Sequence, residues 1–510
     1  MIARVLSGAI YGVDAFTVDV EVDFSRKGLP AFSMVGLADN AVRESRDRVF
    51  SALKSSSYTL PPARITVNLA PADRKKVGSV YDLPLAIGLL LGAGVVPPEA
   101  TAGFYMAGEL SLTGEVRPVH GILPLAILAR DKGARGFLVP AANAAEAAVV
   151  EGLAVYPVQS VSEAVEFFLG TPLQAVVAQP FSVSAQGHSP LLDYADVKGQ
   201  EHAKRAVEIA TAGGHNMLFL GPPGSGKSML AQRLPSVLPP LSFEEALETT
   251  KIYSVAGLLE ADHGLIQERP FRTPHHTISE YGLIGGGAWP KPGEISLAHR
   301  GVLFLDELLE FRKQTLEVLR QPLETGAVTI ARATQTVQFP AHCMLIAAMN
   351  PCPCGYLTDT RRPCTCTPSD IRRYRARLSG PLLDRIDLHV EVPAVSYADM
   401  SAEKPGKSSV TMRENVMQAR AIQAKRYAGT GISGNAALQG QALDTYCALD
   451  TKTRSFLGNA VERLCLSARA YTRILRLART IADLQAEEHL SLAHVAEAIN
   501  CRCLDREQGM

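Results

Sequence analysis

The run Gly221-Pro222-Pro223-Gly224-Ser225-Gly226-Lys227-Ser228 restricts the possible folds of this chain more than any other stretch. It fits G-x-x-x-x-G-K-[ST], with an apolar run, NMLFL at 216–220, before it and a helical run, SMLAQRL, after it. Glycines let successive backbone N–H groups turn inward around phosphate oxygens, and the start of the following helix adds positive potential. In this reading Lys227 reaches the β- and γ-phosphates of ATP, and the Ser228 hydroxyl ligates Mg²⁺. A strand, a glycine loop and a helix in that order also predict a parallel sheet covered by helices.

Two further apolar runs end in side chains that such a loop needs. Gly301-Val-Leu-Phe-Leu305 leads into Asp306 and Glu307. An acidic pair at the C-terminal end of a neighbouring strand lies beside the phosphates in this type of sheet. Asp306 is expected to hold Mg²⁺ through water, and Glu307 to orient and deprotonate the attacking water. CMLIAAMN ends in Asn350, whose amide can bond the γ-phosphate or the water; the same residue read alone is a cap for the turn at Pro351.

The length of 510 residues suggests about three domains at roughly 150 residues each. Hydrophobic residues make up 47% and charged residues 20%, which excludes wholesale disorder and fibrous repeats. Lys+Arg and Asp+Glu are 51 each, so any contact with a polyanion must come from a local patch. The longest apolar stretch, Leu83 to Val96, contains Pro84 and is too short to span a bilayer. MIARVLSGAIYGVDAF does not read as a secretory signal, and a cytoplasmic location is expected.

Alternation in 16–24 and 63–71 predicts strands, and spacing in 41–57, 82–94 and 123–133 predicts helices, so 1–170 reads as an α+β domain. Residues 171–192 have linker composition, 193–395 carry the nucleotide motifs, 396–411 are a second linker, and 412–510 are mainly helical.

Cys352, Cys354, Cys364 and Cys366 form a C-x-C pair, a gap and a second C-x-C pair. Four thiolates suit a structural Zn²⁺ in a knuckle at 352–366, although pair spacing in such sites is usually two to four residues. Four reduced cysteines in a surface loop is the other reading. Residues 361–385 hold seven Arg and two Asp, with Tyr374 among them, and read either as a nucleic-acid surface or as a solvated helix face with salt bridges.

With these motifs in place, the chain resembles the ComM/YifB family of magnesium-chelatase-like AAA+ ATPases nearly end to end. The resemblance is carried by DVKGQEHAKRAVEIATAGGHN at 196–216, FRTPHHTIS at 271–279, GEISLAHRGVLFLDEL at 293–308 and SGPLLDRIDLHVEVP at 379–393. It implies an AAA+ parallel sheet with a helical lid, in a hexameric ring. It also implies that Arg385 is the finger completing a neighbouring subunit's site, and that Arg469 is the lid arginine laid on the nucleotide. A surface pairing of Arg385 with Asp384 and Asp387 is the alternative. Hairpins expected around Trp289 and in 323–339, where Gly326 and Arg332 are read near the turns, match the places where related ring helicases grip DNA in the pore. Arg332 and Trp289 are the expected DNA contacts.

Residues 1–170 resemble the Lon protease domain, of ribosomal S5 type, through 75–90 and 106–140. The protease's Ser and Lys are replaced by Tyr81-Asp82-Leu83 and Leu125, and no Lys follows Ser79 in the expected helix, so peptide hydrolysis is not expected. The resemblance as a whole implies an ATP-driven DNA helicase, acting on branched or single-stranded DNA during homologous recombination and natural transformation, with recombination proteins as further partners and no membrane. The alternative is a chelatase-like machine that remodels a protein partner.

Overall fold

A computed structural model describes the chain except for residues 1, 28, 177–191, 261–263, 288, 333–334, 358, 360, 396–405 and 509–510. Most of the two expected linkers lies outside the described residues. The chain forms two compact units. One contains Met1–Ser182 together with Ser242–Ile266 and Ala331–Phe339; the other contains Val183–Leu241, Gln267–Ile330 and Pro340–Met510.

The first unit is built on a mixed seven-stranded sheet. Ile2–Tyr11 and Asp14–Ser25 pair antiparallel, Asp14–Ser25 pairs antiparallel with Arg64–Ala70, and Ala31–Val35 adds a parallel edge. On the other side Phe104–Met106, Gly136–Pro140 and Val155–Val158 follow in parallel. The helix Asp82–Ala93 is apolar almost all round and buried along nearly its whole length, as such a helix must be to be stable in water. Its one charged residue, Asp82, is fully buried and bonded to Arg48, with Nε 2.8 Å and Nη2 3.1 Å from its carboxylate oxygens. Ser79 donates to Glu109 and Leu125 is buried in the core, so neither provides a hydrolytic pair.

Residues 242–266 and 331–339 fall inside 193–395 in sequence, yet they belong to this first unit. The helix Phe243–Ala256 places Leu247 against the Ile122, Leu123 and Leu125 cluster, and Ser254 O accepts Gly121 N–H at 3.1 Å. Tyr11 Oη donates to Thr336 O at 2.6 Å.

The second unit carries a five-stranded, all-parallel sheet in the order Phe271–Arg272, Val302–Leu305, Met344–Met349, Met217–Leu220, Leu388–Glu391. Its three central strands are buried at every residue, which is why they read as continuous apolar runs rather than alternating ones. The helices Ser409–Arg426, Ala468–Leu484 and Leu492–Asn500 share one core with that sheet: Met412, Val416, Leu477 and Ile481 join Phe219, Ile346 and Val390. Each such side chain contributes about 1.5–3 kcal/mol on burial.

Both expected hairpins form: Gly285–Gly286 pairs antiparallel with Lys291–Pro292, and Ala327–Arg332 pairs with Gln335–Pro340. Gly326 is not near the turn of the second. It adopts φ +69° and ends the helix Arg320–Thr325, its N–H bonding back to Pro322 O. A glycine that closes a helix and one that turns a hairpin look alike in sequence, since both supply a left-handed residue.

Candidate active site

Three parallel strands deliver their C-terminal ends to one place. Met217–Leu220 leads into the glycine loop, and Gly226, at φ +93°, is the left-handed residue that starts the helix Lys227–Gln232. Lys227 Nζ is thereby turned back over its own loop, donating to Gly221 O at 2.7 Å and Pro222 O at 2.9 Å. It also donates to Asn350 Oδ1 at 3.2 Å, across from the end of Met344–Met349. Ser228 Oγ donates to Asp306 Oδ2 at 2.6 Å, across from the end of Val302–Leu305. The structure thus brings Lys227, Ser228, Asp306 and Asn350 into one hydrogen-bonded group.

Burial lowers the Lys227 pKa to about 8, against the opposing pull of the Asp306 carboxylate. An ammonium held in partly dry surroundings gains strongly from a phosphate placed beside it. The hydroxyl–carboxylate pair of Ser228 and Asp306 is hard and oxygen-only, the donor set that suits Mg²⁺.

Glu307 has φ +50° and ψ +46°, a left-handed conformation that costs a non-glycine residue about 1–3 kcal/mol. The Asp306 carboxylate helps hold it, accepting the Glu307 N–H at 2.8 Å. The Glu307 side chain is 61% exposed, and its Oε2 lies 3.5 Å from His276 Nδ1. His276 was not assigned a role from sequence; the tandem His275-His276 after Phe271–Arg272, with rings 4.1 Å apart, was the available signal. Gln200 was missed as well. Its Nε2 bonds Ser225 O at 3.3 Å and Pro393 O at 2.6 Å, bracing the glycine loop from outside.

Arg385 and Arg469 form a separate cluster. Arg385 donates to Arg320 O at 2.9 Å and Pro381 O at 2.6 Å and pairs with Glu324, while Arg469 Nη1 lies 2.9 Å from Asp384 Oδ2. Among the described residues, neither arginine is bonded to Lys227, Ser228, Asp306 or Glu307. The other lid arginines are structural ties. Arg473 pairs with Asp387, Arg476 donates to Leu438 O at 2.7 Å, and Arg479 reaches Asp483.

The basic window resolves largely into internal bonds. Arg361 reaches Val395 O, Arg362 stacks on Tyr356, Arg375 donates to Pro351 O and Arg377 to Leu309 O. Tyr374 is partly buried under Arg377 rather than presented for stacking on a base. Arg332 is exposed at the end of its strand, and Trp289 is half-buried in the turn of the other hairpin.

The four cysteines converge. Cys352, Cys354 and Cys364 have Sγ–Sγ distances of 3.3, 3.7 and 3.5 Å, and all four sulfurs lie within 4.8 Å of one another. Sulfurs on a tetrahedron around Zn²⁺ are about 3.8 Å apart at a Zn–S distance of about 2.3 Å, so the set fits such an ion. Among the described residues no helix is long and apolar enough to cross a membrane.

Comparison with known proteins agrees with this arrangement. Residues 193–400 match the family described as magnesium chelatase, subunit ChlI; 20–143 match subunit ChlI of Mg-chelatase, and 406–502 match its C-terminal family. The chain is 45% identical to Competence protein ComM of Haemophilus influenzae over 99% of this chain and 98% of that one. It is 42% identical to YifB of Escherichia coli over 98% of this chain and 96% of the relative. A more distant likeness, 25% identity over 38% of this chain and 18% of the other, links it to the DNA replication licensing factor MCM2 of Oryza sativa subsp. indica.

Proposed function

The chain belongs to the ComM/YifB family of magnesium-chelatase-like AAA+ ATPases, and from that membership we propose that it is an ATP-driven motor that moves branched or single-stranded DNA. The observation that carries the ATPase half is the joining of Lys227 to Asn350 and of Ser228 to Asp306 across three neighbouring strand ends. ATP and Mg²⁺ are its cofactors, with Zn²⁺ as a structural ion on Cys352, Cys354, Cys364 and Cys366.

The chemistry follows from the side chains. Backbone N–H groups of 224–228, beyond the two prolines, and the Lys227 ammonium hold the phosphates, and Ser228 and Asp306 would hold Mg²⁺, whose charge would offset that of the phosphates. Glu307 takes the proton of the attacking water, and Asn350 aligns that water with the γ-phosphate. Arg385 is bonded at its own subunit's surface rather than to its own Lys227. In a closed ring of six copies it serves the neighbour's phosphate, and Arg469 approaches the nucleotide from the lid. A guanidinium in that role raises the rate by about 10³–10⁵.

Action on DNA is supported by the names of two relatives, a competence protein and a DNA replication licensing factor, and by the two hairpins that carry Trp289 and Arg332. One arginine per subunit would give a ring of phosphate contacts, on a strand that leaves the ATPase unit at Ile330. Branch migration in homologous recombination and transformation is the setting this implies, and a cytoplasmic location goes with it. The Lon-like region is then 1–170, the ATPase region 193–395 without 242–266 and 331–339, which group with the first unit, and the lid 412–510. A second reading, remodelling of a protein partner, is favoured by the match of 193–400 and 406–502 to a chelatase subunit.

The test is a labelled four-way junction, a forked duplex and a blunt duplex, each incubated with ATP and wild-type or Glu307→Gln protein. Resolution of the junction by wild type alone supports the DNA motor, and Arg332→Ala should keep basal hydrolysis while losing DNA stimulation. Hydrolysis with neither unwinding nor stimulation by DNA shifts the reading to the protein remodeller.

A further inference from the structure

We infer that the four-cysteine cluster is a metal clamp that seats the phosphate loop against Asn350, so that its Zn²⁺ occupancy governs ATP turnover; the inference rests on the ATPase reading above. Cys352 stands two residues beyond Asn350, and the turn it begins runs back onto the phosphate loop. Gly355 in that turn has φ +85°, and a Cβ built there would lie 2.6 Å from Pro223 Cδ and 3.9 Å from Asn350 Cγ. The backbone at 355 therefore touches the phosphate loop at a distance that only glycine allows.

The second cysteine pair ties the same turn to the other side of the site. Cys364 and Cys366 lead directly into Thr367, which caps the helix Pro368–Arg375 through reciprocal bonds with Asp370. That helix and the residues after it reach back twice. Arg375 Nε donates to Pro351 O at 3.1 Å, beside Asn350. Arg377 Nη1 donates to Leu309 O at 3.1 Å and lies 3.6 Å from Glu310, in the turn that follows Glu307. A cation shared by both pairs joins the Asn350 strand end, the Pro223 contact and the Glu307 turn into one braced loop.

Between Asn350 and Pro368 the described residues form neither helix nor strand, so order there comes from side-chain ties, and the cysteine cross-link joins those made by Arg361, Arg362 and Arg375. The sulfurs accept backbone N–H bonds, Cys354 N to Cys366 Sγ and Cys366 N to Cys364 Sγ, both at 3.4 Å, the outer contacts that orient thiolates around a metal. The Sγ–Sγ distance of 3.3 Å between Cys352 and Cys354 is far beyond a disulfide bond. Soft thiolates in a tetrahedral set select Zn²⁺ over the Mg²⁺ of the nucleotide site.

The experiment uses the full chain. Metal content is measured by elemental analysis, and ATP affinity and turnover are followed while a thiol-reactive mercurial and a chelator strip the metal, then again after Zn²⁺ or extra Mg²⁺ is returned. One zinc per chain is expected, with turnover falling about 10²-fold on stripping, as for ~1 Å misplacement of reacting groups, and returning with Zn²⁺ alone. Gly355→Ala is expected to keep its zinc and still lose turnover, which separates the clamp from metal-dependent folding. Unchanged turnover in stripped protein overturns the clamp and leaves the ATPase reading standing. Absence of zinc, or iron in its place, overturns the zinc clamp. Zinc-loaded protein that binds ATP no better than Lys227→Ala overturns the ATPase reading itself.

Discussion

His276 Nδ1 lies 3.5 Å from Glu307 Oε2, so an imidazole from the segment after one strand meets the carboxylate held in a left-handed turn after the next. The contact restrains a side chain that is otherwise largely exposed, and restraint is what a general base requires.

His276→Ala is therefore expected to lower kcat by about 10- to 100-fold, while KM for ATP stays within about twofold. His276→Gln, which keeps a hydrogen-bonding group, should recover part of the loss. Steady-state hydrolysis by both variants decides it; an equal loss in kcat and in ATP affinity would mean that His276 shapes the site generally rather than positioning Glu307.

In the role proposed for Lys227, ATP binding should depend on pH. Its pKa is lowered to about 8 by burial, so the ammonium is present below pH 8 and is lost above it in the nucleotide-free protein. Above that value binding must take up a proton to restore the charge, and KM for ATP should rise by about tenfold per pH unit between 8 and the ordinary lysine value. Below pH 7 it should be flat. Because the unfolded chain holds its lysine proton to higher pH, this group's contribution makes folding stability rise, not fall, between about pH 8 and 10.5. Lys227→Arg, charged throughout, should lose the pH dependence of KM, which titration of KM from pH 6.5 to 9.5 would reveal.

Arg385 is tied to Glu324, Arg320 O and Pro381 O within its own chain. If it serves a neighbour's nucleotide, Arg385→Ala should reduce turnover by about 10³-fold, and mixing it with Glu307→Gln should restore activity at sites that draw the intact finger and the intact base from different chains. Turnover that stays flat at every mixing ratio would show that the site is complete within one subunit.

Asp387 joins the lid to the sheet. Burial raises its pKa, but the hydrogen bond from His215 and the charges of Arg473 and Arg476 outweigh burial and hold the carboxyl well below its usual range. Its ion pair with Arg473 is almost fully buried. Asp387→Asn should cost about 3–5 kcal/mol, since a guanidinium is left buried without its anion. A carboxyl with a depressed folded pKa gives its full stabilisation above about pH 4, the unfolded value, and loses it as pH falls toward the folded one. The variant's unfolding midpoint should therefore change less between pH 5 and 3 than that of the wild type, measured by thermal melts.

Much of the candidate site was legible because its signals are local, and Lys227, Ser228, Asp306 and Asn350 do meet. A glycine loop between a strand and a helix, an acidic pair after one apolar run and an amide after another are readable within a few residues each. The cysteine spacing was legible in the same way, and the sulfurs do meet. His276, Gln200 and Gly355 were not, because what matters about each is a partner far away in sequence: Glu307, Ser225 and Pro223. Gly326 was misread because a left-handed glycine serves a helix end as well as a hairpin turn. The basic window was ambiguous for a related reason, as charge counts do not show which arginines are spent on backbone carbonyls.

The amino-acid sequence alone determined the parallel sheet, the phosphate loop and the identity of the groups that gather around it, since hydrophobic period and motif spacing act over a turn or a strand. Tertiary structure alone decided which chain segments share a core. The helix Phe243–Ala256 and residues 331–339 lie between nucleotide motifs in sequence but belong to the amino-terminal unit, where Leu247 finds an apolar cluster and the Thr336 carbonyl a tyrosine hydroxyl. Burial of apolar surface is non-directional and indifferent to sequence distance, so a segment joins whichever core offers it complementary contacts, and no local pattern records that choice.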